Sequence, residues 1–229
     1  MNLSSSITIA ALLAATSPWL QAATNLVVNG DFEAGNTAFS SDYAYSPGGN
    51  AAEGQYTVRA NPYPWNGNFI SAADHSDGHG LMYVGNGSPV NGAIVWQSGA
   101  VTVDAATDYF FEAWVMNVCC YPGYGGANSP SVLEFSINGV AVGTKTTNLA
   151  LAGTWEGLST TWNSGGATTA VLKLINRNTA PGGNDFAIDD IALSTATTIP
   201  EPMTLSLLLL GLPGLGLVAR RRRAAKATG

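Results

Sequence analysis

The segment Asp74-His75-Ser76-Asp77-Gly78-His79-Gly80 gathers both histidines of the 229-residue chain with two carboxylates. These are residue types from which metal sites and general acid–base pairs are built. His-x-x-x-His suits zinc only where a helix sets both rings on one face, and Gly78 and Gly80 deny that helix. A nucleophilic Ser76 or Ser88 would need a sharp strand-to-helix turn to expose its hydroxyl, and neither sits in such a pattern. Glycoside hydrolysis needs two carboxylates facing one bond, and the spacing of the fifteen acids singles out no pair. The segment reads as a turn tied by its own Asp and His side chains. No catalytic residue is assigned, and the chain is read as a non-enzyme.

Aromatic residues are the second kind of candidate. The face of a sugar ring packs on an exposed indole or phenol, while amides and carboxylates bond its hydroxyls. Asn61-Pro62-Tyr63-Pro64-Trp65-Asn66-Gly67-Asn68 has that composition, with two prolines to stiffen a surface loop. Tyr63 and Trp65 are therefore the candidate ligand-binding platform; the competing reading folds both rings back onto the protein. Most tryptophans of a β-sandwich are core residues, and Trp114, Trp96 and Trp162 are expected there. The two cysteines, Cys119-Cys120, are adjacent. They could form a vicinal disulfide, pair between molecules, or remain two thiols.

These side chains must be positioned by strands. Leu133–Ile137 alternates apolar and polar, then meets Asn138-Gly139 and Val140–Val142, the pattern of a hairpin with a type I′ turn. Tyr109–Val118 is apolar on both faces, as a central strand would be. Leu26–Val28, Leu81–Val84, Ile94–Gln97, Val101–Val103, Thr160–Trp162, Ala170–Ile175 and Phe186–Leu193 are further strand candidates, separated by Gly, Asn, Ser and Pro clusters. The expected fold is all-β: an antiparallel β-sandwich of the jelly-roll kind spanning residues 24–198. That span carries Arg59, Lys145, Lys173 and Arg177 against every acid but Glu201, a net charge of 4 − 14 = −10. Phosphate backbones would repel it, so nucleic acid is excluded as a partner.

Both ends of the chain read as targeting elements. Residues 1–23 have the short apolar core and terminal small residues of a signal peptide, with cleavage after Ala22 or Ala23. Met203–Ala219 is uncharged and ends in Arg220-Arg221-Arg222-Arg223. As a helix it would reach roughly 26 Å, enough to cross a thin bilayer with the arginines left in the cytoplasm as a basic anchor.

Pro200-Glu201-Pro202, one hydrophobic span and a terminal arginine cluster, in that order over residues 199–229, resemble the PEP-CTERM sorting signal of Gram-negative bacteria. The resemblance implies recognition by an exosortase, a membrane-embedded cysteine transpeptidase-like enzyme. It also implies a transient inner-membrane stage, removal of the tail, and delivery to the cell surface or to an extracellular matrix rich in exopolysaccharide. The body carries a second resemblance. Asn25-Leu26-Val27-Val28-Asn29-Gly30-Asp31-Phe32-Glu33 and Phe186-Ala187-Ile188-Asp189-Asp190-Ile191-Ala192-Leu193 are similar to the opening and closing strands of galactose-binding-like jelly rolls, among them carbohydrate-binding modules. In that family the two strands lie together and hold a structural calcium. Carried over, the ligands are the Glu33 and Asp189 carboxylates with the Asp31 carbonyl nearby. Two like charges on neighbouring strands would be relieved by a hard cation with oxygen ligands; otherwise both are solvated turn acids. The implied function is non-catalytic binding of carbohydrate or exopolysaccharide. The alternative is a structural matrix or adhesion protein that binds proteins.

Overall fold

The structure, a computed structural model, describes residues 23–50 and 52–195. The sorting motif Pro200–Pro202, the 203–219 span, Arg220–Arg223 and all but the last residue of the 1–23 leader lie outside the described residues. In chain order the strands are β1 (Phe39–Ser40), β2 (Ala44–Tyr45), β3 (Gln55–Arg59), β4 (Met82–Asn86), β5 (Ile94–Ser98), β6 (Val101–Thr102) and β7 (Asp108–Asn117). They continue with β8 (Val132–Ile137), β9 (Val140–Thr146), β10 (Trp155–Asn163), β11 (Thr169–Ala170), β12 (Leu172–Asn176) and β13 (Phe186–Thr195). Helix among the described residues amounts to one 3₁₀ turn, Leu149–Leu151.

Two sheets face each other, one five-stranded in the order β1-β5-β12-β8-β9, the other six-stranded in the order β10-β7-β13-β4-β3-β2. A two-stranded ribbon, β11-β6, closes one end. All pairings are antiparallel except β2 with β3. The all-β sandwich expected from alternation is thus observed. Leu133, Phe135 and Ile137 of β8 bury one face of their strand against Phe111, Val115 and Ile188 of the other sheet. The β8–β9 turn carries positive φ at Asn138 (51°) and Gly139 (79°), as a type I′ turn requires. Tyr56, Tyr83 and Phe186 stack in a row, with centroids 4.8 and 6.3 Å apart.

Several strands depart from expectation. β1, β2 and β3 carry no clean alternation in sequence and are additions. Leu26–Val28 is not a ladder strand; it is tied to β13 by Leu26 N–H to the Leu193 carbonyl (2.8 Å) and Ile191 N–H to the Gly30 carbonyl (2.9 Å). The two ends of the body do lie together, and Gly30 is needed there because a Cβ would run into the Ile191 carbonyl. Regular pairing fails at that point because β13 is bulged. Asp189 faces Trp114 and Ala192 faces Glu112, leaving Asp190 and Ile191 opposite the single residue Ala113, with Asp190 at φ 46°. A bulge re-aims side chains, and here it turns two successive aspartates toward one loop.

Candidate functional site

That loop runs between β3 and β4, residues 60–81, and folds over the outer face of the six-stranded sheet. Its Trp65 and Phe69 pack on Met82, Val84, Met116, Val118 and Ala187, forming a second small core. Trp65 is 3% exposed, and its indole N–H donates to the Ser46 carbonyl at 2.7 Å. The expected platform therefore loses Trp65. Burying a large apolar ring over an already apolar sheet outweighs leaving it in water, and its one polar atom is satisfied.

Tyr63 behaves differently. It is 52% exposed, on a tight turn that Asn61 fastens by accepting from the Tyr63 N–H and donating to the Ser71 hydroxyl. Across from it stands Tyr121, 42% exposed. Tyr121 N–H donates to the Asn68 carbonyl (3.1 Å), and its ring is braced edge-on by Tyr124 at 5.8 Å. Between the two phenols lies a groove of about 560 Å³ lined also by Ile70, Ser71, Pro122 and Gly153. Gly153 sits at φ 85°, and a Cβ there would come within 2.8 Å of Ile70 Cδ1, so this wall must be glycine. Cys119 and Cys120, joined as a vicinal disulfide, immediately precede Tyr121, and Cys119 bridges Phe69 of the loop. Tyr121 was not readable as a partner of Tyr63, since it is the backbone pairing of residues 68–70 with 118–121 that brings the two loops together.

The Asp74–Gly80 segment is a turn tied by its own carboxylates. Asp74 accepts from the N–H of Asp77 (3.1 Å) and Gly80 (2.9 Å), and Asp77 accepts from His79 N–H (2.8 Å). His75 leaves the turn. Its Nδ1 lies 2.7 Å from Asp190 Oδ2, its ring stacks on Trp114 at 3.9 Å, and Trp155 meets it edge-on at 5.7 Å. Ser76 donates to the other oxygen of Asp190 (3.0 Å). Serine and histidine thus share one carboxylate and are not linked to each other as a nucleophile–base pair would be. Trp114, expected in the core, is half-buried on the outer face beside Glu112, to which its indole N–H donates (2.8 Å). Trp96 is fully buried and Trp162 partly so, packed against the main core.

The calcium candidates flank this same loop. Phe32 is fully buried at φ 56°, which leaves Glu33 facing outward, where it accepts from Leu81 N–H (2.6 Å) against the Gly80 backbone. Asp189 is 0% exposed and accepts from the N–H of His75 and of Asp190, both 2.8 Å. Burial pushes its carboxyl up to about 8; the two N–H bonds oppose this, and the charges of Asp190 and Asp74 add to it. Asp31 is exposed, its carboxylate toward the Glu33 N–H at 3.4 Å. Among the described residues no three acid, His or Cys side chains converge as a ready ligand set. Glu33 and Asp189 instead hold the two ends of the 75–81 stretch, through Leu81 N–H and His75 N–H.

These features define an antiparallel β-sandwich with a loop-covered outer face and an aromatic groove at its margin. No protein-family model and no curated protein matches the chain. Solved structures similar to it include carbohydrate-binding modules. One is the N-terminal CBM22-1-CBM22-2 tandem domain from Paenibacillus barcinonensis Xyn10C (16% identity, 82% of this chain and 50% of that one, TM-score 0.43). Another is a family 16 carbohydrate-binding module-2 (15% identity, 74% and 99%, TM-score 0.39). A third similar structure is an arabinose-bound α-L-arabinofuranosidase, MgGH51 (13% identity, 74% and 26%, TM-score 0.44).

Proposed function

We propose that the protein is an exported, non-catalytic β-sandwich that binds polysaccharide, with the groove between Tyr63 and Tyr121 as its sugar-contacting site. The observation that carries this reading is the pair of exposed phenols that line one groove together with the apolar side chain of Ile70. Aromatic walls take the C–H faces of a sugar ring, and the Ser71 hydroxyl and Tyr hydroxyls supply directional bonds. The groove lies in a body of net charge −10, which favours neutral glycans over acidic ones. The test is a glycan array followed by titration of the best glycan. Tyr63→Ala and Tyr121→Ala should each weaken binding by about tenfold or more, the loss of roughly 1.4 kcal/mol of stacking. Absence of saturable binding to any sugar would overturn the reading in favour of a protein-binding matrix component.

Delivery in this proposal runs through an exosortase-type enzyme that reads Pro200-Glu201-Pro202. The variant Glu201→Ala/Pro202→Ala leaves hydrophobicity of the 203–219 span unchanged. It should accumulate at full length in the inner membrane, detected as a larger band on immunoblots of fractionated cells. Normal tail removal in that variant would rule out the triplet as the recognition element. A structural calcium held by Glu33 and Asp189, with the Asp31 carbonyl nearby, belongs to the same proposal. The chemistry of the donors suits it, since calcium accepts mixed sets of carboxylate and backbone carbonyl oxygens. The buried carboxylate of Asp189 is an acidic group that a cation would stabilise in ionised form.

A further inference from the structure

The two sheets end in edges of very different kinds. β1 and β2 are two-residue strands, too short to template a partner. β9 is broken by a register shift opposite Phe135/Ser136 and carries Lys145, devices that discourage edge pairing. β10 is neither short nor broken, and its one charge lies near its start, at Glu156. It pairs with β7 without interruption through nine residues, from Trp155 opposite Met116 to Asn163 opposite Asp108. On its other side it has no strand neighbour among the described residues. Its one charge, Glu156, is neutralised by Lys145 at 3.1 Å, leaving Gly157-Leu158-Ser159-Thr160-Thr161-Trp162-Asn163 free of charge and proline.

We propose that β10 is a self-association edge through which a second copy of this chain adds antiparallel, joining two six-stranded sheets. Three observations favour a second copy over another partner. Antiparallel pairing of an edge with itself is closed by a two-fold axis; with that axis at Thr160, Ser159 meets Thr161 and Leu158 meets Trp162. These are hydroxyl–hydroxyl and apolar–apolar cross-strand pairs, both favourable. The body carries ten net negative charges, so most approaches of one copy to another are repulsive, while this uncharged stripe is not. Exposed side chains lie next to the joint: Ser159 and Thr161 on β10, and Phe110 of β7, which pairs with Thr161. Two copies would therefore continue one outer face across the axis. This inference does not depend on glycan binding.

The test uses the full chain in the cells that export it, with a photo-crosslinking amino acid placed at Ser159 or, as a control, at Val28, which is 72% exposed and away from β10. Irradiation should give an adduct of two copies from Ser159 and none above background from Val28. Adding Thr161→Lys, a charge on an exposed edge position, should bring the Ser159 yield down to the control level, while Thr161→Val should preserve it. Equal yields at the two positions, an adduct with a different protein, or an adduct indifferent to Thr161→Lys would each overturn the proposal.

Discussion

Calcium at a hundredfold excess over its dissociation constant should raise the melting temperature of the protein by roughly 5–10 °C, and chelation should reverse the gain. The size follows from linkage: binding to the folded state alone adds about 2.7 kcal/mol at that excess, and a domain of this length gains a few degrees per kcal/mol. The expectation rests on the concentration of acids around one loop. Asp189 is fully buried, Asp74 nearly so, and Asp189 feels the charges of both Asp74 and Asp190. Glu33 holds the other end of the loop through Leu81 N–H. Glu33→Gln and Asp189→Asn should each abolish most of the calcium response. A wild-type melt that ignores the chelator would remove calcium from the account. A calcium response equal in wild type and both variants would place the ion elsewhere.

A second large effect should appear on changing pH, and its source is a different aspartate. Asp185 is buried at the start of β13's approach, its carboxylate accepting from Gly87 N–H at 3.1 Å. Burial pushes its carboxyl from 3.8 up to about 7; the Gly87 bond opposes this and the charge of Glu53 adds to it. Tyr43 also faces it, a buried phenol whose oxygen accepts from Ser88 N–H and whose own ionisation is pushed up by burial. The folded state therefore holds the Asp185 proton more tightly than the unfolded chain does. Stability from this group is complete below about pH 4, falls as pH rises toward 7, and is flat above that. The full loss is on the order of 4 kcal/mol, or roughly 10 °C in melting temperature. Asp185→Asn keeps an oxygen for the Gly87 N–H and carries no charge. In chelator, melts at pH 4 and pH 8 should differ by roughly 10 °C less in Asp185→Asn than in wild type. Identical pH dependence in the two proteins would show that Asp185 is not the group responsible.

How much of this was legible in advance follows from the range of the interactions. Strand periodicity and turn chemistry are local, set within a few residues by the pleat and by φ preferences. Hence Leu133–Ile137, the Asn138-Gly139 turn and the long Tyr109–Val118 run are visible in the sequence, and with them the all-β sandwich. Net charge is a sum over residues and needs no fold, so the expectation against nucleic acid is drawn from composition alone. The joining of the two ends came from a resemblance of short motifs, and the hydrogen bonds from Leu26 to Leu193 and from Ile191 to Gly30 realise it. What a side chain faces is a different matter. Nothing in Tyr63-Pro64-Trp65 says which ring turns inward; the apolar patch of Met82, Val84 and Met116 beneath the loop takes the tryptophan and leaves the tyrosine. Tyr121 reaches Tyr63 across 58 residues of chain, and His75 meets Asp190 across 115. Trp114 stands outside the core because the strand's inner face is already filled by Tyr109, Phe111, Ala113 and Val115. Two more decisions belonged to the tertiary structure: the bulge that aims Asp189 and Asp190 at one loop, and the outer edge of β10, unpaired among the described residues. Each depends on what packs alongside, and a one-dimensional pattern carries no record of its neighbours.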